Sequence, residues 1–299
     1  MDTDRPETVV DPAMPGRGDS LRGIVLMTAG FGAFSCADTI AKFLTADYHP
    51  VQIVWTRQLG LLAGVVLLLA LNGPGLLRSH APVLQTARGL VAVLSALTFV
   101  FAISRVPLAD AIAVSFVAPF MVTLLGALAL RETVGIRRWA AVIVGFAGTV
   151  VVIRPGFGVF HPAIFLVLIA AAAFAVRQVL SRHLGRTDRT ATTVAYTAIT
   201  ATALLLVPLP FFWRAPAGTM DTALMAGLAM LAGLGEFLII RALEIAHAVV
   251  VAPMQYSLIL FGSFWGWLVF ADIPDGWTWA GAAIIIASGL YTTYREARA

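Results

Sequence analysis

Asp38, Lys42, Arg57, Arg177 and Glu236 carry charge inside stretches that are otherwise apolar, as in AFSCADTIAKFL (33–44) and AFAVRQVLSRHL (173–184). Groups of this kind can move protons or hold a metal in catalysis, or they can pair reversibly with a charged solute. A solute bearing a carboxylate and an ammonium could meet Arg177 or Lys42 with the first and Glu236 or Asp38 with the second. The catalytic alternative is poorly furnished. There is no G-x-x-x-x-G-K-[ST] phosphate cradle, no H-E-x-x-H and no G-x-S-x-G elbow. His49, His80, His161, His183 and His247 all fall at expected helix ends or loops. No enzymatic activity, metal site or cofactor is therefore expected.

The elements that must position these charges follow from composition. Of 299 residues, 60% are hydrophobic and 12% charged, and the mean hydropathy is +0.90. A soluble chain carries about a quarter charged residues. Apolar runs long enough to cross about 30 Å of hydrocarbon as helices recur along the chain. Ten are expected, at about 21–44, 50–71, 82–103, 107–130, 136–153, 161–181, 190–213, 219–241, 247–270 and 274–294. Such runs are too long and too uniformly apolar for the alternating strands of a barrel. The expected fold is all-α, a polytopic membrane protein. Residues 1–20 are polar and rich in Pro and Asp, and read as a disordered N-terminal tail. The single cysteine, Cys36, excludes an intramolecular disulfide.

Arginine placement predicts the orientation. With the N-terminus in the cytoplasm, thirteen arginines fall in inside segments, among them Arg22, Arg78, Arg131, Arg137, Arg138 and Arg241. Only Arg105, Arg154 and Arg214, with Lys42, fall toward the outside. This positive-inside bias puts both termini in the cytoplasm of a cell whose inner (plasma) membrane holds the chain. The net charge of +4 then implies contact with anionic lipid headgroups, and no nucleic-acid partner.

The chain also repeats itself. An offset of 140 sets Phe34 on Phe174, Lys42 on Arg182, Glu132 on Asp272 and Trp139 on Trp279. Two units are expected, 21–160 and 161–299, each of five helices. Five is odd, so the second unit enters the membrane from the opposite side. Inverted repeats of this kind build many secondary transporters, with the substrate bound near the midplane between them.

The segment ADAIAVSFVAPFMVTLLGALALRE (109–132), followed by WAAVIVGFAGTVVV, resembles the EamA-type drug/metabolite transporters. So does AHAVVVAPMQYSLILFGSFWGWLVFADIPDGWTWAGAAIIIASGLY (246–291). The resemblance runs over nearly the whole chain from about residue 21. It implies ten helices, five plus five inverted, and secondary transport of small metabolites, often amino acid export as in the YddG-like members. Many relatives end the fourth and ninth helices with Gly-Glu, where this chain has Arg131-Glu132 and Ala271-Asp272.

Within that frame the charges divide into two expected groups. Asp38, Lys42, Arg57 and Gln58 belong near the outer face, Arg177, Gln178 and Glu236 near the inner one. Asp38 and Lys42 stand four apart with the acid first, the favourable order for a pair on one helical face. A charge within a span costs about 2.5–3.5 kcal/mol at the centre, and faces a cavity or a partner by default. Lys42 fits snorkelling to the headgroups equally well, and Arg88 and Arg182 are read as snorkelling residues. Asp38 and Glu236 are the carboxylates deep in helices, hence the candidates if protons drive transport. Pro119 and Pro253 break their helices and free the carbonyls of Ser115 and Val249. Ser95, Gln255 and Tyr256 are candidate substrate contacts, and Phe99, Phe116 and Trp265 candidate apolar walls. Gly60/Gly64 and Gly262/Gly266 are small-xxx-small spacings that suit either packing within the chain or a dimer face. The expected function is export of a small polar metabolite, foremost amino acids, including aromatic or other neutral ones. A passive channel or facilitator, or a carrier for sugars, nucleosides or drugs, is the alternative.

Overall fold

The structure is a computed structural model that describes residues 17–129, 135–154, 161–185 and 187–296. Among these, all regular structure is helical. The first half comprises α1 (Arg17–Leu44), α2 (Pro50–Asn72), α3 (Pro82–Ile103), α4 (Leu108–Ser115), α5 (Ala118–Ala129) and α6 (Ile136–Ile153). The second comprises α7 (Ile164–Leu184), α8 (Thr190–Leu206), α9 (Leu209–Phe212), α10 (Thr219–Ile245), α11 (Ala248–Val251), α12 (Ser257–Phe270) and α13 (Gly276–Glu296). Among the described residues, six stretches are long and apolar enough to cross a membrane: Asp19–Leu44, Pro50–Asn72, Pro82–Ile103, Leu108–Leu128, Ile164–Leu184 and Thr219–Ile245. Large apolar side chains such as Leu71, Val83 and Phe211 face outward, as lipid-facing residues must.

Local chemistry sets the helix ends. Pro50 opens α2, where a missing N–H costs nothing, and the ring of His49 accepts the Val51 amide at 3.3 Å. Both proline breaks fall where expected. Helical structure stops at Ser115 and resumes at Ala118, with Pro119 in the first turn of α5. Pro253 lies in a 3-10 turn, Ala252–Tyr256, between α11 and α12. Hydroxyls bond carbonyls of the preceding turn beside both breaks: Ser115 donates to Ile112 O at 2.7 Å, and Ser257 to Met254 O at 2.6 Å.

Packing follows a twofold pattern. The helices of the first half correspond to those of the second at the offset of 140: α1 to α7, α2 to α8, α3 to α10, α4–α5 to α11–α12, and α6 to α13. Under that exchange α1 on α10 becomes α7 on α3, α2 on α10 becomes α8 on α3, and α1 on α12 becomes α7 on α5. All six interfaces occur. Two more map onto themselves: α6 on α13, and α2 on α8. Single contacts obey the same exchange. Phe116 stacks on its own counterpart Tyr256, ring centroids 5.2 Å apart. Ser288 donates to Ala141 O at 2.6 Å, and the corresponding pair, Gly148 and Gly281, also meet, with 2.7 Å between Gly148 O and a Cβ built on Gly281.

Small residues serve packing within the chain. A Cβ on Gly60 would lie 1.7 Å from Ala229 O, and one on Gly262 would lie 2.3 Å from Ile112. These two glycines therefore let α2 and α12 press against α10 and α4, and neither is open to a dimer face. Gly64 has no such neighbour within 4 Å.

Two sets of polar bonds join the loops. Tyr48 donates to Asp221 at 2.5 Å, and Gln52 bonds Arg214 through both its amide oxygen and nitrogen at 2.9 and 2.8 Å. At the corresponding place in the second half, Asp188 accepts from Ser79, from the His80 amide at 3.0 Å and from Gln85 at 2.8 Å. Ser79, the His80 amide and Gln85, in that order, hold the Asp188 carboxyl well below the usual carboxylate range. A lowered folded-state pKa means that the bond's stabilisation is complete above about pH 4, where an unfolded Asp ionises, and is lost only as pH falls below that. The expected result is full protection of the amides around 79–85 against hydrogen exchange from pH 7 down to pH 5. Asp188→Asn should lose that protection at every pH, with about 1–3 kcal/mol of stability.

Candidate functional site

One cavity of about 330 Å³ lies among α1, α2, α3, α4–α5, α7, α8, α10 and the start of α12 with the turn before it. Its charged lining comes from five helices: Asp38 on α1, Arg57 on α2, Arg88 on α3, Arg177 on α7 and Glu236 on α10. Phe34 and Phe174, which correspond in the two halves, both line its wall. Each carries a guanidinium over its ring, Arg57 at 5.5 Å and Arg177 at 4.7 Å, positions that favour a cation electrostatically.

The five charges differ in how they are bonded. Arg57 donates to Asp38 at 2.6 Å, a tight charge-assisted bond. Arg88, only 8% exposed, donates from Nε to Ser181 at 2.7 Å and from Nη1 to Thr197. Its bonds are therefore to neutral hydroxyls on α7 and α8. Arg177 Nε is buried and has no hydrogen-bond partner. Glu236 has no ion-pair partner within 4 Å among the described residues. Arg177 and Glu236 are close enough to feel one another's field, yet each keeps bonding capacity for something else. A solute with an acidic and a basic group would complete both.

The remaining expected residues fall variously. Ser95 lines the cavity while donating to Ala170 O at 2.9 Å, tying α3 to α7. Gln58, Gln255, Phe99, Phe116 and Pro119 also line it. Tyr256 is buried against Phe116 and lies outside the lining, as do Gln178, Trp265 and Pro253. Lys42 is a correction. It does not pair with Asp38, four residues away, and does not reach the cavity. Its Nζ donates to Asp272 at 2.8 Å and to Val106 O at 3.1 Å, over the ring of Phe270. Asp38 turns to Arg57 instead, whose longer planar head can meet the carboxylate from the next helix. Nor is Lys42 a snorkelling residue, since its side chain is 14% exposed and bonded inward.

The two expected polar groups line one cavity, Asp38, Arg57 and Gln58 from the first and Arg177 and Glu236 from the second. Arg88 overturns its snorkelling assignment in the same way, because it points into the protein. The signal that could have found it is its charge within a span, which by default marks an interior group. Arg182, by contrast, is exposed at the end of α7. The Arg131-Glu132 departure lies outside the described residues.

The EamA-like transporter family model matches the chain twice, over residues 21–154 and 161–294. This chain belongs to the EamA-like transporter family. It is a membrane transporter of small metabolites and not an enzyme, as are its named relatives. The S-adenosylmethionine uptake transporter of Rickettsia felis is 26% identical over 281 residues, 93% of this chain and 95% of the relative. The pseudopaline exporter CntI of Pseudomonas aeruginosa is 29% identical, over 89% and 94%. The riboflavin transporter of Vibrio cholerae is 30% identical, over 91% and 93%. A crystal structure with 20% sequence identity superposes at a TM-score of 0.62 over 91% of this chain and 98% of its own, a likeness of fold.

In this EamA-like chain, Lys42 ties α1 of the first half to the segment after α12 of the second. Asp272 is 33% exposed, so the pair contributes about 1 kcal/mol at most. Lys42→Met is expected to leave ligand affinity in detergent within about twofold, because Lys42 is not in the cavity. The same variant should make residues near Val106 more reactive to a membrane-impermeant thiol reagent at an introduced cysteine.

Proposed function

We propose that this EamA-like protein is a secondary carrier that exports an amino acid or a close relative by alternating access. Ten spans form two inverted five-helix units, 21–160 and 161–299, with the cavity between them, in an inner membrane with both termini cytoplasmic. The double family match at an offset of 140 and the exchange symmetry of the helix interfaces support this reading. So do the loop bonds: the α1–α2 connection meets residues 214–221, while the α7–α8 connection meets 79–85. Corresponding connections thus have corresponding partners in the other half, as two equivalent gates would.

One observation carries the substrate reading: Arg177 and Glu236 share a cavity without bonding each other. The volume suits a small metabolite. The relatives' cargoes, S-adenosylmethionine, pseudopaline and riboflavin, differ from one another and are named for both uptake and export. The cargo must therefore be read from this chain's own side chains, and the guanidinium–carboxylate combination fits a carboxylate with an ammonium. Asp38, Arg57, Ser95, Arg177, Glu236 and Gln255 are the proposed contacts. Counterflow in proteoliposomes tests it. A carrier shows saturable uptake of labelled amino acid stimulated by unlabelled amino acid inside, whereas linear flux without trans-stimulation would make the protein a channel, and no flux of any amino acid would remove the substrate class.

A further inference from the structure

We infer that the cavity selects a substrate of net negative charge, one acid group more than its basic groups. This rests on the carrier reading above and adds to it the sign of the cargo. Three guanidiniums, those of Arg57, Arg88 and Arg177, face two carboxylates, those of Asp38 and Glu236, and no other charged side chain lines the cavity among the described residues. Arginine stays protonated in proteins, so the sum is +1 when both carboxylates are ionised. It becomes more positive if either takes up a proton. The sign therefore holds whichever protonation state the cavity adopts.

The bonding pattern says where the excess sits. Asp38 and Arg57 satisfy one another at 2.6 Å. Arg88 is bonded only to the hydroxyls of Ser181 and Thr197, which carry no compensating charge. Arg177 Nε is buried with no acceptor. Two guanidiniums, on α3 and α7, thus stand in the field of the single carboxylate of Glu236. Unmatched charge within a span is costly, and a partner is its ordinary resolution. An acid group of the cargo supplies that partner at Arg177, whose planar head receives carboxylates and phosphates through paired donors. A neutral zwitterion would occupy Glu236 and one arginine and leave the excess in place. A cargo with a second acid group would cancel it.

The test is thermal stabilisation of the detergent-solubilised full chain by pairs of related ligands that differ by one acid group. Glutamate against glutamine asks about a second carboxylate, phosphoserine against serine about a phosphate, and butyrate against butyramide about an anion without an ammonium. The expected result is a preference of about tenfold or more in apparent affinity for the anionic member, since a compensated charge within a span exceeds one decade of equilibrium. Preference in the first or second pair also says which acid group is favoured. Preference confined to butyrate would overturn the amino acid reading and keep the charge inference. Equal response to both members of every pair, including no response, overturns the inference. Arg177→Gln should erase the preference for the anion, and Arg177→Lys should retain it; a preference unaltered by Arg177→Gln would equally overturn the assignment. Circular dichroism and size exclusion check that both variants fold.

Discussion

Glu236→Gln is expected to lower substrate exchange tenfold to a hundredfold while the protein still inserts and purifies as a folded monodisperse species. The magnitude follows from losing a hydrogen bond to a charged group, about 1.5–3 kcal/mol. Glu236 has no ion-pair partner within 4 Å among the described residues whose loss would unfold the bundle. Its replacement by an isosteric amide therefore removes charge and little else. Glu236 is not held by an ion pair, whereas Asp38 is occupied by Arg57. If protons couple transport, exchange should respond to an imposed pH gradient in the parent chain and lose that response in Glu236→Gln. Unchanged vesicle uptake by the variant would remove Glu236 from the mechanism altogether.

How much of this was legible in the sequence depends on whether a feature repeats or depends on facing. The offset of 140 was legible because Phe34 and Phe174 stand in copies of one pattern. It extends to contacts such as Phe116 on Tyr256 that no sequence comparison displays. The proline breaks were legible because a missing N–H acts locally. Partnerships were not. Asp38 has a cation at i+4 and another on the following helix, and local spacing favours the first. The bundle favours the second, because Lys42 finds Asp272 and Val106 O, far along the chain. Arg88 shows the same limit. Its position near a helix start suits a side chain reaching for headgroups, but hydroxyls on α7 and α8 wait at the bundle side. Which way a helix is turned is a property of its neighbours, and only folding reveals them.

The Asp38–Arg57 pair is expected to behave as a fixed part of the site and not as a switch. Both residues belong to the first half, on α1 and α2, so a rocking of one half against the other need not part them. Their bond is short and little exposed, with 9% and 21% of the two side chains accessible. Asp38→Asn would leave Arg57 uncompensated within the span, at a cost of about 2.5–3.5 kcal/mol. Arg57→Gln should cost a similar amount by stranding the carboxylate. Removing both leaves no charge to strand, so the double variant should recover most of either loss, a coupling of about 2 kcal/mol in a double-mutant cycle of thermal or denaturant unfolding. Additive losses would mean that water in the cavity solvates each group separately. The coupling also bears on the sign of the cargo. Deleting the pair removes one positive and one negative charge, so the excess at Arg88 and Arg177 survives. The folded double variant should therefore keep its preference for an anion over the neutral isostere, even where its absolute affinity falls.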